Sequence, residues 1–184
     1  MNNISKTISR RSFLRYTLGA TAAIAMPTSY AGIVRNPVVK ELKLHNLHTD
    51  EKIALSYFEQ GEYVTEALRD INYLLRDHRT GDVLAMDPGL IDLLYDLKGV
   101  LGTEQPLQVI SGYRSPKTNA ALHNKSSGVA SKSLHMQGKA IDICIEGIDT
   151  RDIQAAALRL ARGGVGYYPR SNFVHIDTGN VRSW

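Results

Sequence analysis

"SLHMQGKAIDICI", Ser133–Ile145, holds two kinds of residue in one short run. Successive side chains of a strand point to opposite faces. Read as a strand, "KAIDICI" puts Ile141, Ile143 and Ile145 on one face and Ala140, Asp142 and Cys144 on the other. The isoleucines make a core face. Asp142, between two small side chains, has room for a ligand beside it. "NFVHID", Asn172–Asp177, repeats the pattern, with Val174 and Ile176 turned one way and Phe173, His175 and Asp177 the other. Set side by side, the two strands bring Asp142 against His175. His135 precedes Asp142 by seven residues, on the far side of Gly138, where the chain can bend back over the pair.

Two imidazoles and one carboxylate match a three-ligand catalytic zinc site whose fourth position is left to water. Nitrogen ligands favour zinc over magnesium. The chain has six histidines, so such a trio can also arise by chance. A histidine hydrogen-bonded in a loop, beside an aspartate that caps a turn, fits the same spacing. The pattern alone leaves both readings open.

Working outward, Leu42 and Leu44, then Ile53, Leu55 and Tyr57, alternate as two short strands joined by a polar turn at 46–51. Val64, Leu68, Ile71 and Leu75 recur at helical spacing. A second helix starts at Asp87 as N-cap with Pro88 in its first turn, and Gly102 closes it. "LQVIS" is a strand, "PKTNAALH" a short helix and 124–133 a polar loop. "DTRDIQAAALRLARGG" is a third long helix, capped by Asp149 or Thr150 and stopped by Gly163-Gly164; "VGYYP" is a further strand. Helices and strands mix without a regular β-α-β rhythm. The expected fold class is α+β with a mainly antiparallel sheet, in a single domain over 32–184.

Composition is that of a globular chain, 43% hydrophobic and 22% charged. The net charge of +4 comes from the start of the chain: residues 1–31 carry Lys6, Arg10, Arg11 and Arg15 and no acid. Without them the 22 basic residues fall to 18, equal to the 18 acidic ones, and nothing points to nucleic acid. "SRRSFLR", Ser9–Arg15, followed by an apolar run and small residues before Gly32, reads as a twin-arginine export signal spanning 1–31. The apolar run is about a dozen residues, short of the ~20 that span a bilayer, so stable membrane insertion is not expected after cleavage. The expected location is the periplasm. Cys144 is the only cysteine and reads as a small buried residue.

"SLHMQGKAID" matches the S-x-H-x-x-G-x-A-x-D pattern of zinc D,D-peptidases and the hedgehog domain, and "FVHID" supplies their second histidine. "NLHT", "LRDHRTG", "VISGYRSPKTNAAL", "GGVGYYP" and "FVHIDTGNVRSW" follow in order, and together the chain resembles the zinc murein endopeptidase K family from about residue 40 to 184. The resemblance implies a hedgehog/D,D-peptidase-like fold. It implies one Zn²⁺ per chain on His135, Asp142 and His175, and peptidoglycan stem peptides as substrate. It also implies Arg114, in "SGYRS" with Ser111 and Tyr113, as the group that holds a substrate carboxylate; a guanidinium fork suits that task. Tyr113, Tyr167 and Tyr168 are candidates for a groove wall or for packing.

Carboxypeptidase and dipeptidase relatives carry a glutamate three residues before the second histidine, and here that position is Asn172. An amide cannot serve as general base. Asp177, on the strand face of His175, is the substitute the sequence offers, or else a partner that orients the histidine; His123 is a weaker candidate. The expected reaction is hydrolysis of peptide cross-links by metal-activated water. Two alternatives stand beside it: trimming of D-alanine termini as a D,D-carboxypeptidase or dipeptidase, and a zinc-containing wall-binding module without turnover.

Overall fold

The computed structural model describes residues 38–125 and 129–184. The expected signal at 1–31 and its cleavage point lie outside the described residues. The described residues cluster as one compact unit. The described strands are β1 (Lys40–Asn46), β2 (Lys52–Glu59), β3 (Glu62–Tyr63), β4 (Leu107–Ser111), β5 (Ala140–Ile145), β6 (Gly164–Tyr168), β7 (Phe173–Asp177) and β8 (Arg182–Ser183). They form one sheet in the order β3-β2-β1-β4-β5-β7-β6-β8. Only β1–β4 and β6–β8 pair in parallel, so the sheet is mostly antiparallel, as expected. The two-residue strands β3 and β8 are too short to leave an alternation in the sequence.

Among the described residues four α-helices accompany the sheet: α1 (Thr65–Leu74), α2 (Pro88–Leu101), α3 (Pro116–Lys125) and α4 (Thr150–Leu160). The Asp87 carboxylate caps α2 by accepting from the Gly89 N–H, and Gly102 ends it in left-handed conformation. Asp149 caps α4 in the same way through Arg151 N–H. Ile71 and Leu74 of α1, Leu90 and Leu94 of α2, and Ile153 of α4 join Leu42, Leu44, Ile141, Ile143, Val174 and Ile176 in one buried core. The three helices therefore cover one face of the sheet. α3 gives nothing to that core; its buried residues are Thr118 and Asn119.

The end of α4 departs from the sequence reading. Ala161 takes the left-handed C-cap, before Gly163-Gly164. Those glycines answer to a neighbour instead. A Cβ on Gly163 would lie 1.7 Å from the Asp177 carbonyl oxygen, and one on Gly164 would lie 2.5 Å from Asp177 Oδ2. They let β6 run hard against the end of β7, next to the polar cluster described below. Cys144 is buried, as expected, but on the face away from the isoleucines, where its thiol donates to Gln108 Oε1 at 3.2 Å.

Candidate metal centre

Asp142 and His175 are direct partners in the antiparallel ladder of β5 and β7, so the register itself sets them together. His135 arrives from a 3-10 turn, Leu134–Gln137. Ser133 caps that turn, and Gly138 leaves it with φ +67, a position where a Cβ would press to 2.6 Å on the Ala85 carbonyl. One ligand atom from each of the three residues lies within 4.8 Å of the others. His175 Nδ1 is 2.9 Å from Asp142 Oδ1; His135 Nε2 is 3.2 Å from His175 Nδ1 and 3.3 Å from Asp142 Oδ1.

The far side of each ring fixes what faces inward. His135 Nδ1–H donates to the Gly112 carbonyl at 2.7 Å, and a carbonyl only accepts, so that nitrogen carries the proton. His175 Nε2–H donates to Asp177 Oδ2 at 3.0 Å. Each neutral imidazole then turns its bare nitrogen to the same point, where Asp142 adds an oxygen. Three lone pairs converging within hydrogen-bonding distance repel unless a cation sits among them. The donor set of two nitrogens and one carboxylate oxygen suits zinc.

The electrostatics favour a positive charge at the cluster, so a proton competes with a metal ion for the nitrogen that faces Asp142. Burial works against the charge of Asp142, but His135 and His175 outweigh it and hold the carboxyl well below the usual carboxylate range. Burial likewise opposes charge on His175, and its hydrogen bonds to Asp142 and Asp177 overcome this and raise its pKa. Asp177 is also held low against burial, by His175 and Arg182 and by the N–H groups of Gly179 and Gly164.

Asp177 does not fit the proton-accepting role expected from the sequence. It is 0% exposed. Its Oδ1 accepts from Gly164 N (3.0 Å), Gly179 N (2.8 Å) and Arg182 Nη1 (3.0 Å), and its Oδ2 from Arg182 Nη2 (2.7 Å) and His175 Nε2. A carboxylate so enclosed has no lone pair left for a water in the cavity; it holds the His175 ring. Among the described residues nothing else near the second histidine takes the role on. Asn172 is exposed and caps the turn Pro169–Ser171 with φ +53, a conformation asparagine tolerates. His123 donates from Nδ1 to the Val129 carbonyl at 2.6 Å and is not among the residues that line the cavity beside the cluster.

The cluster opens on a cavity of about 480 Å³ whose walls include Arg114, Lys132, Tyr168, Phe173 and Trp184. Arg114 reaches it because β4 carries an irregularity between Val109 and Ser111, after which the chain leaves the sheet. The residue is 9% exposed; its guanidinium contacts Ser111 Oγ, Asn119 Oδ1 and Asp142 Oδ2 only at 3.3–3.5 Å and leaves the buried Nε without a partner. Ser111 thus supports Arg114 and is not part of the cavity wall. Of the three tyrosines named from the sequence, Tyr168 lines the cavity, while Tyr113 and Tyr167 are partly buried against the core. The sequence reading missed the Gly112 carbonyl, Arg182 and Trp184. A backbone carbonyl leaves no sequence signal. Arg182 and Trp184 stand two apart, as residues sharing a strand face do, and that spacing was the available clue.

The family described as peptidoglycan L,D-endopeptidase MepK matches residues 35–184. The peptidoglycan L,D-endopeptidase MepK of Escherichia coli K12 is 48% identical over 175 residues, covering 95% of this chain and 96% of that protein. A probable peptidoglycan L,D-endopeptidase MepK of Haemophilus influenzae is 40% identical over 160 residues, 86% of each chain.

Proposed function

We propose, from the premise that this chain belongs to the peptidoglycan L,D-endopeptidase MepK family, that it hydrolyses peptide cross-links of peptidoglycan with one zinc ion held by His135, Asp142 and His175. The convergence of two bare imidazole nitrogens and a carboxylate oxygen at the floor of the cavity carries this reading. We read the fold as the hedgehog/D,D-peptidase type, on the order of the motifs and the mostly antiparallel sheet.

When bound, zinc supplies Lewis acidity: it activates water for attack near neutral pH and polarises the scissile carbonyl. The residues of the chain do the rest. Gly112 and Asp177 lock the two imidazoles in the tautomers a metal requires. Arg182 neutralises Asp177, so that the buried carboxylate does not draw a second proton into the cluster. Arg114, which lines the cavity and holds Ser111 and Asp142 only by long contacts from Nη2, is placed to take a substrate carboxylate in two-pronged fashion. Arg114→Lys keeps the charge and loses that geometry, so turnover of muropeptide dimers should weaken while zinc content stays; unchanged kinetics would make Arg114 a structural residue.

Digestion of purified sacculi with and without a chelator tests the function. Cross-linked dimers should become monomers, and only in the presence of metal. Release of D-alanine without loss of dimers would favour a carboxypeptidase, and binding with no released fragment a wall-binding module. A substrate of 3-3 linkages is the finer expectation, because the L,D bond named for the relatives joins an L-centre carbonyl to a D-centre amine.

We also read the chain as acting in the periplasm after twin-arginine export. Arg10 and Arg11 support this, and no helix among the described residues is long and apolar enough to cross a membrane. Replacing both arginines with lysine should strand precursor in the cytoplasm; normal periplasmic accumulation would rule out that route.

A further inference from the structure

Trp184 is 50% exposed yet held from several sides. Its indole Nε1–H donates to the Tyr168 hydroxyl at 2.8 Å. Its backbone N–H donates to the Val165 carbonyl at 3.3 Å, and its carbonyl accepts from Tyr167 N at 3.0 Å. The Arg182 guanidinium lies 4.9 Å from the ring centroid. The ring rests against Gly166, where a Cβ would come within 2.7 Å of it. Tyr168 and Phe173 stack at 4.6 Å and continue the same wall. An exposed indole fixed in this way at a cavity wall is a preformed contact surface, and a ligand that lies on it has little further ordering to supply.

The ligand's chemistry follows from place and charge. The Trp184 ring centroid is 5.3 Å from that of His175, so the wall meets only groups on the residues that flank the scissile bond. Glycan sugars stand several bonds farther along a stem peptide. The side chains a stem peptide offers near a cross-link are a methyl group, a short acidic chain and the chain of a diamino acid. A methyl is too small to cover a wall of three rings. Only the diamino acid has a run of methylenes that can lie along the rings while its polar end reaches onward. Arg114 and Lys132 line the same cavity, and Asp142 is the one carboxylate among its described lining residues, so a carboxylate on that end is matched.

We propose that Trp184, with Tyr168 and Phe173, forms the subsite for the aliphatic side chain of the diamino acid beside the scissile bond. This rests on the peptidoglycan-endopeptidase reading and assigns the wall that recognises one residue of that substrate.

Trp184 is the only tryptophan of the chain, so its emission reports this subsite alone. The metal-loaded protein is titrated with a stem tripeptide ending in diaminopimelate, which has no cross-link to cut. A saturable change in emission is expected, with none from the dipeptide that lacks the diamino acid and none from the peptide-free disaccharide. Trp184→Ala should raise KM for cross-linked dimers about tenfold, the equivalent of ~1.4 kcal/mol, with kcat changed less than about twofold and zinc content unaltered; Trp184→Phe should recover most of the loss. Emission that the tripeptide leaves unmoved, or that the dipeptide or disaccharide moves as strongly, overturns the proposal. A fall in kcat at unchanged KM does so as well. If the protein cuts no cross-link while the tripeptide still moves the emission, the subsite stands and the endopeptidase reading falls.

Discussion

The two faces of β5 and β7 obey opposite rules on one backbone. One face sets Ile141, Ile143, Ile145, Val174 and Ile176 into the core. The other sets Asp142, His175 and Asp177 into a polar cluster in which every contact has a direction. Burial of apolar surface depends on area and volume, so the first face should accept a change of shape that keeps most of its bulk. Hydrogen bonds and ligand bonds depend on which atom carries a proton, so the second should fail on a change that keeps its shape entirely.

The largest effect is expected from Asp142→Asn, which is isosteric and removes one charge. Zinc should no longer co-purify and dimer cleavage should drop to background, while circular dichroism still reports the parent fold. Retained zinc and turnover would erase the contrast between the faces. Ile143→Ala, directly beside it, should cost ~2–5 kcal/mol of stability in denaturant melts, and the folded protein should still hold zinc. Ile143→Val should cost only ~0.5–1.5 kcal/mol. A core variant that lost metal at full stability would show the two faces to be coupled.

Asp77 supplies a buried carboxylate satisfied by protein donors alone. It is almost fully enclosed and accepts from Ser115 N (2.8 Å) and Arg79 N (2.9 Å). Burial opposes its charge, but these bonds and the Thr118 and Ser115 hydroxyls hold its pKa below the ordinary value. In acid the unfolded chain therefore binds the proton first. The stability from Asp77 is fully present above the unfolded pKa of ~3.9 and is lost as pH falls through the folded value. Asp77→Asn should cost ~1–3 kcal/mol at neutral pH and flatten the acid limb of stability against pH, with zinc affinity unchanged. An acid limb identical to the parent's would show that Asp77 does not carry it.

Asp177→Asn separates orientation from proton transfer. If Asp177 holds His175, zinc affinity measured by chelator competition should fall ~10–100-fold, and turnover at saturating zinc should largely survive. A ~10²–10⁴-fold loss of turnover at saturating zinc with affinity intact would restore Asp177 as the base.

Much of this was legible in the chain because alternation is a two-residue signal. "KAIDICI" and "NFVHID" gave both faces, and with them the Asp142–His175 pair. Asp87, Pro88 and Gly102 marked α2 because capping is local chemistry. What stayed hidden depended on contacts far apart in sequence. The Gly112 carbonyl meets His135 across 23 positions and carries no side chain to betray it. Gly163-Gly164 looked like a helix stop and proved to be clearance for β7. Asp177 shares a strand face with His175, which suggested a base; only its enclosure by Arg182, Gly164 and Gly179 shows where its lone pairs go.

The central claim is that the His135–Asp142–His175 cluster is a zinc site that serves cross-link hydrolysis. Elemental analysis of the purified protein, run beside muropeptide digestion of the same sample, tests it most directly. About one zinc per chain is expected, with dimer cleavage lost on chelation and restored by zinc. Metal-free protein that digests sacculi at the parent rate would contradict the claim.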